Sequence, residues 1–164
     1  IDVGKGILHW KLRNDPRVVV MEETNARFVE SLPEPVSLVT VDASFISLKI
    51  LLPVVQKWIF PSPDPSGRPL PAGEGGILAL IKPQFEAGKK DVARGDGVIR
   101  DPEIHKQVLL DVLSFAQQTG FRVRGLIKSP LLGPKGNVEF LVWLSQAQDV
   151  EEREELGPII ETVL

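Results

Sequence analysis

The chain has 164 residues, 43% of them hydrophobic, and a formal net charge of −3 at pH 7. This length and composition suffice for one domain with a full apolar core, and no run of about 20 apolar residues predicts a membrane span. The absence of cysteine excludes disulfides and thiolate metal sites, and His9 and His105 lack a zinc-ligand spacing, so we expect no metal site.

The first part of the chain predicts two short strands separated by a helix. Ile1–Val3 is typical of the end of a strand, Gly6–Asn14 of a helix, and Arg17–Glu22 of a second strand with the apolar run VVVM. Asp2 then lies where acids hydrogen-bond a ribose in nucleotide-binding sheets. A frayed terminal residue is an equally good interpretation of Asp2.

The stretch Pro35–Leu48, PVSLVTVDASFISL, organises the chain. Its apolar, β-branched half predicts a strand buried on both faces, and its second half begins a helix that runs to about Trp58. Asp42 ends the strand, where open α/β sheets bind ligands and perform chemistry. A helix cap that happens to follow a strand is the alternative interpretation of Asp42.

The middle of the chain alternates loops with regular elements. Phe60–Gly76 is rich in proline, glycine and serine and predicts a flexible loop. Ile77–Ile81 predicts the next buried strand, which Lys82 and Pro83 end. Gln84–Arg100 predicts a long surface loop, and Pro102–Thr119 an amphipathic helix.

Two further strands complete the predicted sheet. Phe121–Ile127 follows a helix and should run parallel to the earlier strands, whereas the short connection to Val138–Leu144 favours an antiparallel return. The sequence therefore predicts an α/β fold, a doubly wound Rossmann-like sheet that is mostly parallel with one antiparallel strand near the C-terminus.

This topology brings three ionisable side chains to one edge of the sheet. Asp42 and Lys82 follow parallel strands, and Glu139 begins the antiparallel one, so all three should lie close together. Taken singly, Lys82 could be a solvated loop lysine and Glu139 an exposed edge residue. An acid–lysine–acid cluster at the carboxyl end of a sheet is better explained by a functional site.

Basic residues flank the same edge and predict a patch for phosphates, with ordinary solvated surface as the alternative. Phe45 and Phe85 are the aromatic residues expected near them. The basic residues are Lys89, Lys90, Arg94, Lys128 and Lys135.

Several long motifs, matched in order, resemble the TlyA family. Its members are FtsJ-like, S-adenosylmethionine-dependent ribosomal RNA 2′-O-methyltransferases that are often labelled haemolysins. The resemblance covers nearly all of the chain from Asp2 to Leu144. The motifs are VDASFISL (Val41–Leu48), LIKPQFEAG (Leu80–Gly88), GDGVIRDP (Gly95–Pro102), LLGPKGNVEFL (Leu131–Leu141) and the opening Asp2–Val18 with Glu23–Arg27.

The resemblance implies the site residues and the partners. Asp42, Lys82 and Glu139 match the last three members of a Lys–Asp–Lys–Glu catalytic tetrad. Asp2 matches the acid on the ribose of S-adenosylmethionine, and Asn25 falls where FtsJ-like proteins contact the adenine. Ribosomal RNA or a ribosomal subunit is the implied partner, and the cytoplasm the implied location.

The family's first catalytic lysine, first strand, glycine-rich cofactor loop and small N-terminal RNA-binding domain have no match in the chain. Residues 1–164 are therefore predicted to be a partial methyltransferase domain that is inactive alone. A non-catalytic RNA-binding or haemolysin-like membrane-active protein is the main alternative. A nicotinamide-dependent oxidoreductase built on Asp2 is another, although no hydride-transfer site is visible.

Overall fold

The structure is a computed structural model that describes residues 1–34, 36–59, 76–88, 97–146 and 154–164. These residues form one mixed sheet with the strands β1 (Leu38–Val41), β2 (Gly76–Ile81), β3 (Phe121–Lys128) and β4 (Phe140–Gln146). The spatial order is β1-β2-β4-β3. β1 and β2 pair in parallel, and β4 runs antiparallel to both β2 and β3. The predicted α/β sheet with one antiparallel strand is confirmed.

Helices of very different length accompany this sheet. They are α1 (Trp10–Arg13), α2 (Leu48–Val55), α3 (Pro83–Glu86), α4 (Pro102–Gln118) and α5 (Leu156–Glu161), with 3-10 turns at Ala26–Phe28 and Pro134–Gly136. Among the helices of the described residues, none has the length and apolar character needed to cross a membrane.

The core lies between one face of the sheet and helices α2 and α4. Along β2, Ile77, Ala79 and Ile81 are fully buried while Leu78 is exposed, which is the period of two expected of a strand. The central residues of α4, among them Leu109 and Leu113, are equally buried against this face. The packing of one apolar sheet face on a long amphipathic helix therefore decides which side chains of each strand point into the core.

The first part of the chain differs from its prediction. Neither Ile1–Val3 nor Arg17–Glu22 is a strand, and the predicted helix Gly6–Asn14 is regular over Trp10–Arg13. The two segments do lie side by side, because Asp2 N donates to Met21 O at 2.9 Å and Glu23 N to Gly4 O at 3.0 Å. Positive φ angles at Gly6 (70°) and Glu23 (50°) interrupt the extended backbone that a longer ladder requires.

The prediction of a surface loop over Gln84–Arg100 is partly wrong, because the first residues of that range belong to the short helix α3 (Pro83–Glu86). Pro83 occupies its first turn, where its fixed φ favours helix, and Lys82 before it is extended (φ −113°, ψ 100°). Residues 89–96 of this loop lie outside the described residues. So does the predicted flexible loop 60–76, except for Gly76, which begins β2.

Glu86 joins the end of α3 to the beginning of α2. Its carboxylate accepts hydrogen bonds from Ser47 Oγ at 2.6 Å and from Leu48 N at 2.7 Å. Ser47 Oγ in turn accepts from Lys49 N at 3.1 Å and so acts as the N-cap of α2. A carboxylate at a helix N-terminus is favourable for both hydrogen bonding and the helix dipole. The exits of β1 and β2 are thereby linked.

We predict that Glu86→Ala lowers the free energy of unfolding by roughly 2–3 kcal/mol, because it removes charge-assisted hydrogen bonds from a partly buried helix end. Urea unfolding followed by circular dichroism measures the change. Glu161→Ala is the matched control, since it removes an ion pair with Lys106 on the surface and should change stability much less. Equal effects of the two substitutions would contradict the role of Glu86.

Candidate active site

Lys82 and Asp42 form an ion pair where β1 and β2 end. Lys82 Nζ lies 2.6 Å from Asp42 Oδ1 and donates a hydrogen bond to Ser44 Oγ at 3.2 Å. The side chain of Lys82 is 10% exposed, whereas that of Asp42 is 76% exposed. The amine is therefore held in a fixed position at the sheet edge, and the carboxylate beside it is open to a ligand.

The backbone explains why Lys82 points into this site. The residue before a proline favours an extended conformation, and Pro83, itself fully buried, directs the chain into α3 immediately after the strand. Lys82 consequently leaves β2 at the same edge at which Asp42 leaves β1, as the parallel pairing requires.

Glu139 lies at the same edge but has a different partner. Ile81 of β2 faces Phe140 of β4, which places Glu139 beside the end of β2. Glu139 is 5% exposed, and its Oε1 accepts a hydrogen bond from Gln84 Nε2 at 3.0 Å. Within the described part of the chain, the ion pair of Lys82 is with Asp42, and none joins it to Glu139. The structure thus brings the three predicted residues to one edge, with Gln84 next to Glu139.

Glycine at position 133 makes room for Glu139. A Cβ atom on Gly133 would meet the carboxylate of Glu139 closer than non-bonded atoms can approach. The backbone at Gly133 therefore forms one wall of the space that holds the buried carboxylate, and Gln84 forms another.

Ser44 and Gln84 were not identified as site residues from the sequence. Each lies two positions after a predicted site residue, Asp42 and Lys82 respectively, within the motifs VDASFISL and LIKPQFEAG. That spacing was the available signal. The prediction of a surface loop from Gln84 onward concealed it, because a residue in such a loop is expected to be solvated, whereas Gln84 is buried.

The basic residues that the structure describes lie near this edge. Lys128 is exposed at the end of β3, which runs in the same direction as β1 and β2. Lys135 is exposed in the turn Pro134–Gly136 at a φ of 59°, and the buried side chain of Asn137 closes that turn by donating to Pro134 O at 3.0 Å. Lys89, Lys90 and Arg94 lie outside the described residues.

The predicted cofactor residues are brought together by the backbone. Thr24 N donates to Asp2 O at 2.9 Å, so Asp2 lies next to the TNAR segment that contains Asn25. Asp2 Oδ1 accepts from Gly4 N at 2.6 Å, and Asn25 Oδ1 accepts from Arg27 N at 3.2 Å. These bonds occupy one oxygen of each side chain, and both side chains keep a second polar atom with which to contact a nucleoside.

Two cavities lie beside the predicted cofactor residues and the strand that ends at Asp42. One is lined by Asp2 and the segments around it, the other by β1, Asp42 and Ala43, and Ile1 lines both. Ile1 is therefore a wall that the two cavities share. The second carboxylate oxygen of Asp2, in the first cavity, fits the ribose of a nucleoside cofactor.

His105 supports the β4 side of the site from α4. It is 5% exposed, its Nε2 lies 3.0 Å from Ile99 O, and its ring packs edge-on against Phe140. Burial lowers the pKa of His105 below its usual value, and the nearby charge of Lys128 lowers it further, against the opposing effect of the Ile99 hydrogen bond. His105 is consequently neutral in the folded chain near neutral pH.

Comparison with known proteins identifies related chains. A family model described as "FtsJ-like methyltransferase" matches residues 1–146. "Putative rRNA methyltransferase YqxC" of Bacillus subtilis is 40% identical over 172 residues, which cover 98% of this chain and 56% of that protein. "16S/23S rRNA (cytidine-2′-O)-methyltransferase TlyA" of Mycobacterium tuberculosis is 44% identical over 150 residues, which cover 90% of this chain and 51% of that protein.

A solved structure shares the fold. "Putative hemolysin from Streptococcus thermophilus" has a TM-score of 0.82 and 38% identity, and the match covers 97% of this chain and 54% of that one. The chain thus spans about half the length of the curated relatives it matches.

We predict that stability falls with acidification through His105. The unfolded chain takes up a proton on this side chain at about pH 6.5, whereas the folded chain does so only at lower pH. The stability that neutral His105 provides is therefore present above about pH 6.5 and is lost as the pH falls toward the lowered pKa of the folded state. His105→Gln should flatten the dependence of the urea midpoint on pH between about pH 5 and 7. His9→Gln, at the exposed histidine, should keep the original slope. An unchanged slope in His105→Gln would contradict this assignment.

Proposed function

Because this chain belongs to the FtsJ-like methyltransferase family, we propose that it is the catalytic core of an enzyme that methylates ribose 2′-hydroxyls of ribosomal RNA. The observation that carries the proposal is the Lys82–Asp42 pair, 2.6 Å apart at the carboxyl ends of two parallel strands. The name of the Mycobacterium tuberculosis relative supplies the substrate class. A ribosomal substrate implies a ribosomal subunit as partner and a cytoplasmic location.

In the proposed reaction, the protein mainly has to position the ribose 2′-hydroxyl and remove its proton. S-adenosylmethionine would supply the methyl group from its sulfonium, and the neutral thioether that remains is a good leaving group. Lys82 would receive the proton of the 2′-hydroxyl, for which its amine must be neutral. Asp42 and Ser44 hold the amine in place, and Glu139 at the same sheet edge would orient the hydroxyl. Holding these groups in place before reaction reduces the entropic cost of the step.

Asp2 and Asn25 are the proposed cofactor ligands. The second carboxylate oxygen of Asp2 would accept hydrogen bonds from ribose hydroxyls, and the amide of Asn25 would contact the adenine. Support comes from the backbone hydrogen bond that joins the two segments and from the two cavities, one beside Asp2 and one beside Asp42, that share Ile1 as a wall.

The RNA is proposed to approach over the exposed end of the site. Lys128 and Lys135 would contact phosphates there, together with Lys89, Lys90 and Arg94. Phe45 is 91% exposed at a φ of 62°, and its ring lies 4.8 Å from that of Phe85. A non-glycine residue held at a positive φ is costly, and an exposed aromatic ring at such a position suits stacking on a nucleobase.

We propose that this chain acts within a longer protein, because it spans about half the length of the relatives it matches. The family resemblance assigns a further catalytic lysine, a strand and a glycine-rich cofactor loop to residues before the matched region. The backbone of such a loop would approach the cofactor closely, so this chain alone is proposed to be inactive. Activity is therefore to be measured in that longer protein, called the full-length protein below.

We predict that Lys82→Ala in the full-length protein lowers the rate of methyl transfer to ribosomal RNA at least about 100-fold, because general-base catalysis is typically worth 10²–10⁴-fold. Transfer of a labelled methyl group from S-adenosylmethionine measures the rate. Lys82→Arg should be as impaired, since arginine keeps the positive charge beside Asp42 but does not lose a proton. Lys57→Ala, at an exposed lysine on the chain after α2, is the control.

A loss of less than about tenfold in Lys82→Ala would remove Lys82 from the role of base. Two results together would favour the haemolysin alternative instead. The unmodified protein would transfer no methyl group to RNA, and it would release dye from liposomes whether or not S-adenosylmethionine is present.

We predict that Lys128→Glu weakens RNA binding and reduces the slope of log affinity against log salt by about 1, the value for one lost phosphate contact. Fluorescence anisotropy of a labelled ribosomal RNA fragment over a range of salt concentrations measures this slope. Lys57→Glu makes the same change of charge elsewhere on the surface and should leave the slope unchanged. If Lys128→Glu and Lys57→Glu have the same salt slope, Lys128 is an ordinary solvated surface residue that does not contact phosphate.

A further inference from the structure

Among the described residues, the Glu139 carboxylate accepts its hydrogen bond from an uncharged side chain. Gln84 Nε2 donates to Glu139 Oε1 at 3.0 Å, and the two residues are 8% and 5% exposed. A buried carboxylate is costly unless it is hydrogen-bonded or paired with a cation. Among the described residues, the nearby cation Lys82 is paired with Asp42, so the amide of Gln84 is the group that stabilises Glu139.

The chemistry of the pair fixes the orientation of the amide. An ionised carboxylate only accepts hydrogen bonds, so the NH₂ group of Gln84 must face Glu139 and the carbonyl must face away. Gln84 Oε1 is buried and has no hydrogen-bond donor among the described residues. The contact with Glu139 is therefore what holds this side chain in its orientation.

Gln84 also connects the two halves of the site. It lies two residues after Lys82, in the first turn of α3, so a single short segment contacts Asp42 through its lysine and Glu139 through its glutamine. Gly133 confines the carboxylate of Glu139 from the other side. A change in the amide would therefore move Glu139 relative to the amine of Lys82.

We propose that Gln84 is a positioning residue, which holds the Glu139 carboxylate in its orientation at the reacting edge through their hydrogen bond. This inference rests on the proposed function of the site. Gln84 itself does not touch the reacting atoms in this assignment; it acts through Glu139.

Two substitutions of Gln84 in the full-length protein test the role of the hydrogen bond. Gln84→Leu keeps the approximate volume and removes the donor, and we expect kcat for methyl transfer to fall roughly 10- to 100-fold with little change in KM for RNA, the range for one hydrogen bond to a charged group. The acid limb of its pH–rate profile should move to higher pH, because the ionised carboxylate loses the hydrogen bond that favours it.

Gln84→Glu separates positioning from packing. It places two carboxyl groups together, and these repel each other and cannot form a hydrogen bond while both are ionised. At neutral pH this variant should be as impaired as Gln84→Leu. As the pH falls, a proton shared between the new carboxyl group and Glu139 restores the hydrogen bond. The activity of Gln84→Glu relative to that of the unmodified protein should then recover. Gln84→Leu should not recover at any pH.

Gln107→Leu is the matched control, because the side chain of Gln107 bonds to Asp111 along the surface of α4 and lies away from the site. Its kcat, KM and pH profile should equal those of the unmodified protein. The inference would be overturned if Gln84→Leu had the same kcat and the same acid limb of the pH–rate profile as the unmodified protein. It would also be overturned if the activity of Gln84→Leu recovered at low pH in the same way as that of Gln84→Glu.

A measurement without methyl transfer distinguishes the failure of this inference from that of the proposed function. In nitrogen-15 spectra of the full-length protein, the side-chain amide resonance of Gln84, assigned by its loss in Gln84→Leu, should shift with pH. Glu139→Gln should abolish that shift. Absence of the shift in the unmodified protein would overturn the pairing itself. If the amide resonance of Gln84 shifts with pH but the protein methylates no RNA, the pairing is correct and the proposed function is wrong. The catalytic role inferred for Gln84 would then be wrong as well.

Discussion

The turn that follows β2 holds the candidate site together. Over five residues, alternate side chains reach three different parts of the molecule: Lys82 contacts Asp42, Gln84 contacts Glu139, and Glu86 contacts the N-terminus of α2. The buried ring of Pro83 sets the direction of this turn. The strand exits on either side are thereby joined through one short segment, and the position of each ionisable group depends on it.

The burial of the charged groups suits this segment to the proposed chemistry. Asp42 is largely exposed while Lys82 and Glu139 are almost completely buried, so the amine and the second carboxylate have little freedom to rotate. Groups that are fixed before a substrate binds need no reorganisation during reaction. The exposed Asp42 and Phe45 leave an open side, which suits a large substrate such as folded RNA.

The two parts of the proposed methyltransferase site are built differently. The catalytic edge is held by contacts between residues 38 or more positions apart, such as Lys82 with Ser44 and Gln84 with Glu139. On the proposed cofactor side, the side chains of Asp2 and Asn25 are each bonded to a residue two positions away, Gly4 and Arg27 respectively. Local turns therefore orient each proposed cofactor ligand, and a backbone hydrogen bond between Asp2 and Thr24 brings the two segments together.

The sequence alone determined the relative strand directions that matter for the site. The apolar runs before Asp42 and Lys82 and the short connection before Val138 predicted two parallel strands and an antiparallel return, because chain connectivity and hydrophobic periodicity decide such features. They placed Asp42, Lys82 and Glu139 at one edge.

The tertiary structure decided which side chains pair there. Glu139 is bonded to Gln84 and Lys82 to Asp42 and Ser44, since pairing depends on the turn at Pro83 and on the space beside Gly133. Neither the direction of that turn nor the close approach of that backbone appears in a linear pattern of residues, and both arise once the sheet, α3 and the connection before β4 are packed together.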